Sequence, residues 1–139
     1  MKGPPRPADG PAPDRDRAAR TPGHSLGAAG EALAALAYEK LGYRVLGTRV
    51  RTVHGEIDLL VRRRRLLVAV EVKTRRGHPA PEHTVTAEQR ARVRRALVAL
   101  APTVRPRPRA LRVDVAAVSF TQASRHDVRT FPGIPWSVG

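Results

Sequence analysis

Two short runs carry the residues best suited to chemistry: "GEIDLLV", with Glu56 and Asp58, and "VAVEVKTR", with Glu71 and Lys73. Between them "RRRR", Arg62 to Arg65, has the polarity of a turn joining two β-rich arms. Side chains alternate along a strand, so Glu56 and Asp58 share one face of the first arm, and Glu71 and Lys73 share one face of the second. A two-residue turn, at 63 and 64 or at 64 and 65, sets Asp58 opposite Ala69 or Glu71 and on the face that carries Lys73. Direct and diagonal neighbours on such a face lie roughly 5 to 8 Å apart, within reach of a shared cation. An odd-length turn would put them on opposite faces.

Carboxylates held this close repel each other and lose hydration unless a cation lies between them. An all-oxygen pair completed by water suits Mg²⁺, or Mn²⁺ in its place, so Asp58 and Glu71 are the expected metal ligands. Lys73, one side chain beyond, is placed to orient a water or to neutralise charge developing on a phosphate. Together these are the parts of metal-assisted phosphodiester hydrolysis. The competing reading is a ladder of surface ion pairs worth roughly 0.2–1 kcal/mol each. "LLVAV", apolar on both faces, marks instead a central strand covered on both sides, from whose end Glu71 and Lys73 emerge.

The elements that must position these residues can be read along the chain. Residues 1–23, rich in Pro, Gly, Asp and Arg, bury too little to offset their ordering entropy and are expected to be a disordered tail. Leu26, Ala29, Leu33, Leu36, Ala37 and Leu41 recur at helical spacing, with Ser25 as a cap and Gly42 as a stop. "YRVLGTRV", residues 43–50, and the two arms give three strands in a row. After a Gly- and Pro-bearing loop over 77–85, Thr86 and Gln89 have capping-box spacing, and a second helix runs to about Leu100 on an apolar face of Val93, Leu97 and Leu100. "ALRVDVAAVSF", 110–120, reads as a last strand. The remaining 122–139 is expected to be a loop-like tail, partly docked, with Trp136 as its hydrophobic anchor. The order αβββαβ predicts an α/β or α+β domain over 24–121, with a small mixed sheet flanked by helices.

The 139-residue chain carries a formal net charge of +14, which favours polyanionic partners, nucleic acid first among them. Arg75, Arg76, Arg90, Arg92, Arg94 and Arg95 flank the acidic cluster in sequence, and arginine suits bidentate phosphate contacts. One Trp, two Tyr and two Phe offer little stacking surface, so shape or junction recognition is favoured over reading single strands. The absence of cysteine excludes disulfides and thiolate metal sites. His24, His54, His78, His83 and His126 are too scattered to suggest zinc. With no leader-like apolar segment and no apolar run near ~18 residues, a cytoplasmic protein without membrane association is expected.

The succession "GEALAALAYEKLGYRVLGTRV", "GEIDLLV", "VEVKTR", "HTVTAEQ" and "LRVDVAAV" resembles the YraN family of bacterial proteins, over roughly residues 27 to 120. That family lies within the PD-(D/E)XK nuclease superfamily and is likened to endonucleases and Holliday-junction resolvases. The resemblance implies a restriction-endonuclease-like fold and a metal-dependent endonuclease acting on DNA, branched or structured DNA included. It further implies that Glu31, on the first helix, reaches the metal through water, that Asp58 and Glu71 bind it with the Val72 carbonyl as a further ligand, and that Lys73 is the catalytic lysine. On residues alone, a lone Glu on a surface helix such as Glu31 is more often solvated. Gln89 departs from a family position that commonly pairs lysine with glutamine, and the chain beyond Phe120 resembles the family little. Two other readings stay open: a non-catalytic nucleic-acid-binding protein on the same fold, and an interaction protein docking its arginine helix, 86–100, on an acidic partner. A homodimer is compatible with all of them.

Overall fold

The computed structural model describes residues 22–77, 85–122 and 125–138. The expected disordered tail lies, through residue 21, outside the described residues. Helix α1 spans Pro22–Lys40 and so begins ahead of the expected cap at Ser25. Proline fits a first turn because its missing N–H would have no helical acceptor there. At the other end Gly42 adopts φ +92, the left-handed conformation that glycine takes without steric cost, and Tyr43 N–H returns to the Tyr38 carbonyl at 3.0 Å.

The chain then forms β1 (Arg44–Thr52), β2 (Gly55–Arg63) and β3 (Leu66–Arg76), followed by α2 (Ala87–Leu100), a short 3-10 turn and β4 (Ala110–Phe120). Strands β1, β2 and β3 pair antiparallel, and β3 pairs parallel with β4 across the α2 connection. The β2–β3 turn has two residues, Arg64 and Arg65, and pairs Arg63 with Leu66 and Leu59 with Val70. That is the even-length turn the acid pair required.

The C-terminal segment departs from the expected loop. His126–Phe131 forms β5 and Trp136–Ser137 forms β6, both antiparallel to β4, completing a six-stranded mixed sheet. β5 is an outer strand exposed along much of its length, so it needs no apolar alternation and leaves little trace in the sequence. Trp136 does anchor the segment: it is part-buried opposite Leu111, with the Arg94 guanidinium 3.8 Å from its ring centroid. The architecture is compatible with a restriction-endonuclease-like α+β fold.

One helix covers each face of the sheet. Beneath α1 lie Leu59, Val61, Val68, Val70, Ala116 and Val118. Beneath α2, whose buried side is Val93, Ala96 and Leu97, lie Leu60, Leu67, Ala69 and Leu111. The buried line of α1 is Gly30, Ala34 and Tyr38, while Leu36 and Leu41 of the expected stripe remain about half exposed, at 48% and 52%. Close approach selects small residues there, since a Cβ at Gly30 would collide with Thr74 Oγ1 of β3. At the other end of α1, Tyr38 donates to the fully buried Asp114 at 2.8 Å. Arg112 donates to both Asp114 oxygens, and Gly133 N–H reaches Oδ1 at 3.0 Å. This network ties α1, β4 and the C-terminal segment together, and it satisfies a carboxylate that could not otherwise be buried.

A candidate acidic site where two strands part

The β2–β3 ladder ends at Leu59 and Val70. One residue further, Asp58 stands abreast of Glu71, but its side chain takes the place of a backbone acceptor: Asp58 Oδ2 receives the Val72 N–H at 2.9 Å. β2 keeps pairing with β1 as far as Gly55, and β3 keeps pairing with β4 as far as Arg76, so the sheet opens into a fork at Asp58. The usual alternation slips at the same point. Ile57 and Leu60 both pack on the α2 side, whereas Leu59 packs beneath α1.

Across β1 from Asp58 sits Arg49, between the pairs Thr48–Leu59 and Val50–Ile57. Its φ of +50 is left-handed, which costs a non-glycine residue about 1–2 kcal/mol. The distortion turns its guanidinium towards α1, where Nε donates to Glu31 Oε1 at 2.9 Å. Glu31 follows Gly30, where α1 lies too close to Thr74 of β3 for a Cβ, and so arrives at the fork from the α1 layer. Glu71 and Lys73 arrive from β3, with Lys73 Nζ 3.6 Å from Glu71 Oε2.

Electrostatics bind these residues into one unit. Burial pushes the Asp58 carboxyl up, opposed by the Val72 N–H and by Lys73. Burial and then the Asp58 charge push Glu71 up against Lys73 and Arg92. Burial also raises Glu31, more than Arg49 lowers it, with Asp58 and Glu56 adding to the rise. Three carboxyls held in partly dry surroundings favour whatever brings positive charge.

A divalent cation can be tested against this donor set. Asp58 Oδ1 and Glu71 Oε1 carry no hydrogen bond among the described residues, and the second oxygen of each is oriented by Val72 N–H or Lys73. Two oriented carboxylates suit Mg²⁺ or Mn²⁺, which retain several waters. No three His, Asp or Glu side chains gather into a preformed cage among the described residues, so the set does not suit a cation that demands only protein ligands.

The remaining expected residues divide. Arg92 belongs to the fork: its side chain lies 3.3 Å from where a Cβ on Gly55 would stand, and Gly55 has φ +124. Arg90 lines a separate hollow with Arg94, Pro132, Ile134 and Trp136, because two helical positions apart is about 200° around the axis. Arg75 and Arg76 are exposed on β3 beyond the fork. Glu56 pairs with Arg51 at 3.6 Å on the hairpin surface, an exposed contact of little energetic weight. Gln89 completes the capping box with Thr86, which accounts for it without a role in the site. His54 and His126 are exposed, and His78 and His83 lie outside the described residues. No described helix is long and apolar enough to cross a membrane. Arg49 is the member that sequence reasoning missed. Its one signal is the shift of apolar positions from Val45 to Val50, which breaks period two in "VLGTRV".

Comparison with known proteins gives one consistent result. Residues 30–118 match the model of "Uncharacterised protein family UPF0102". A UPF0102 protein of Caulobacter sp. (strain K31) is 43% identical over 103 residues, 73% of this chain and 74% of that protein. Another, of Leifsonia xyli subsp. xyli, is 39% identical over 113 residues, 78% of this chain and 94% of that one. A third, of Syntrophotalea carbinolica, is 37% identical over 111 residues, 78% and 89% of the two chains.

Proposed function

This chain belongs to the uncharacterised protein family UPF0102, and we propose that it is a divalent-metal-dependent endonuclease that hydrolyses phosphodiester bonds in DNA, branched or structured DNA included. The observation that carries the reading is the fork. The Asp58 carboxylate interrupts the β2–β3 ladder and brings Asp58, Glu71 and Lys73 together beside Glu31 and Arg49.

A bound Mg²⁺ or Mn²⁺ supplies Lewis acidity towards phosphate and water. Asp58 and Glu71 would hold it, one oxygen of each being oriented by Val72 N–H or Lys73. The Lys73 ammonium donates to a non-bridging phosphate oxygen and balances charge as it builds there. Glu31, kept in place by Arg49, orients water on the α1 side of the fork. Arg92 at the fork, with Arg75 and Arg76 on the strand beyond it, holds flanking phosphates. Hydrolysis adds water across one P–O bond, leaving an alcohol on one strand end and a phosphate monoester on the other.

Incubation of purified protein with four-way-junction, single-stranded and duplex DNA tests this reading. Cleavage that needs Mg²⁺ or Mn²⁺ and is lost in Asp58→Asn and Lys73→Ala is expected. No metal-dependent cleavage of any of the three would overturn it. The Glu31–Arg49 ion pair favours a second reading, a nucleic-acid-binding protein without catalysis, because it already gives one acid of the site a cationic partner. In that case the protein binds DNA with a salt-sensitive affinity that Asp58→Ala leaves unaffected, and cuts none of the three substrates.

A further inference from the structure

The end of the sheet opposite the fork gathers a second set of charged groups. Arg62, Arg63, Arg64 and Arg65 of the β2–β3 turn, Arg44 at the start of β1, and Arg105 line a concavity of about 410 Å³ with Gly42, Leu46 and Pro106. None of its lining residues is acidic. Arg65 also borders a neighbouring hollow that carries Arg107 and Arg109.

Backbone carbonyls, not carboxylates, hold several of these side chains. Arg62 is only 7% exposed and donates to Arg64 O from both Nε and Nη2, and to Pro106 O from Nη1. Arg63 donates to Leu41 O and lies 4.4 Å from the centre of the Tyr43 ring. Arg65 reaches Arg107 O, and Arg105 reaches Pro102 O. Carbonyls fix the direction of a guanidinium without cancelling its charge. Burial, and then the charges of Arg65 and Arg44, lower the pKa of Arg62, which marks the repulsion inside the cluster. The side chains of Arg44 and Arg64 make no hydrogen bond or ion pair among the described residues, leaving two guanidinium groups at the rim of a positive hollow.

We infer that this arginine basin is a phosphate site that grips a nucleic-acid backbone away from the fork. Arg64 stands six residues along the chain from Asp58, about 20 Å at strand spacing, a span of about six phosphates along one strand. The inference rests on the proposed reading only in taking nucleic acid as the partner; it does not require that the fork cuts. A positive basin set this far back gives the protein a hold on one arm of a substrate whose scissile bond lies at the fork.

The test is a fluorescence-anisotropy titration of labelled duplex DNA of about 20 base pairs, in EDTA, across about 50 to 200 mM salt. It compares wild type with the double variant Arg44→Gln, Arg64→Asn; asparagine tolerates the left-handed φ of +56 at position 64. Affinity should fall about tenfold, and the log–log salt dependence should become shallower by about two, with melting temperature unchanged. Affinity and slope equal to wild type would overturn the inference. So would a variant that loses stabilisation by inorganic pyrophosphate yet binds DNA normally, since the basin would then serve a small anion. The titration is run without metal and reads binding alone, so a chain that never cuts DNA but loses affinity through Arg44 and Arg64 refutes the nuclease reading alone.

Discussion

Replacing Gly30 with alanine sets two effects of opposite sign against each other. In an ordinary helix interior Gly→Ala stabilises by about 0.5–1 kcal/mol, because glycine loses the most backbone entropy on folding. At this position the added methyl would meet Thr74 Oγ1, Cγ2 at 3.0 Å and Cβ at 3.1 Å. Rotating the threonine moves its outer atoms but not its Cβ, so α1 must lift from β3. Overpacking of this kind costs about 1–3 kcal/mol, which outweighs the propensity gain and leaves a net loss near 1–2 kcal/mol. For a domain of this size the melting midpoint should fall by roughly 5 °C. Thr74→Ala removes two of the three contacts, so the double variant should recover at least half the loss, with a coupling of about 1 kcal/mol in the mutant cycle. Thermal melts followed by circular dichroism measure all four proteins. A Gly30→Ala protein more stable than wild type, or one indifferent to Thr74→Ala, refutes the claim that this contact sets how closely Glu31 approaches the fork.

Further outcomes follow from the same geometry. Glu31, Asp58 and Glu71 have folded pKa values raised above their unfolded ones, so their contribution to stability is full below about pH 4 and is lost as pH rises through the raised values. In EDTA the melting temperature should therefore decline over that rise, Glu71→Gln should flatten the decline, and Mg²⁺ should restore more stability at pH 8 than at pH 5; a decline of equal size in Glu71→Gln would contradict this. Asp114→Ala leaves Arg112 without its carboxylate and should cost about 3–5 kcal/mol in urea unfolding, against about 1.5–3 kcal/mol for Tyr38→Phe. Arg49→Gly relieves the left-handed backbone while losing the Glu31 pair, so melting should shift little while metal-dependent cleavage falls at least tenfold.

Local chemistry made much of this fold legible in the sequence. Thr86 and Gln89 announced the start of α2, Gly42 the end of α1, and the arginine run a turn between two strands, because each depends on neighbours a few residues away. What escaped depends on tertiary context. The buried side of α1 is set by how closely Gly30 and Ala34 let it approach the sheet, not by where its leucines fall. β5 is stabilised by pairing with β4 while half of its residues are exposed and Val128 alone of them packs against the α1-side core, so its own pattern gave little reason for a strand. Within the site, Asp58, Glu71 and Lys73 could be brought together by counting from the turn. The fork itself, the left-handed Arg49 and the separation of Arg90 from Arg92 require the folded sheet.

The central claim is that the fork holds a divalent cation through Asp58 and Glu71. Isothermal titration of Mn²⁺ and of Mg²⁺ into the EDTA-stripped and dialysed protein, beside Glu71→Ala, tests it most directly. A saturable site in wild type that disappears in Glu71→Ala, while the variant melts as a folded protein, is the predicted result. Identical heats for the two proteins, or none for either cation in wild type, would contradict it.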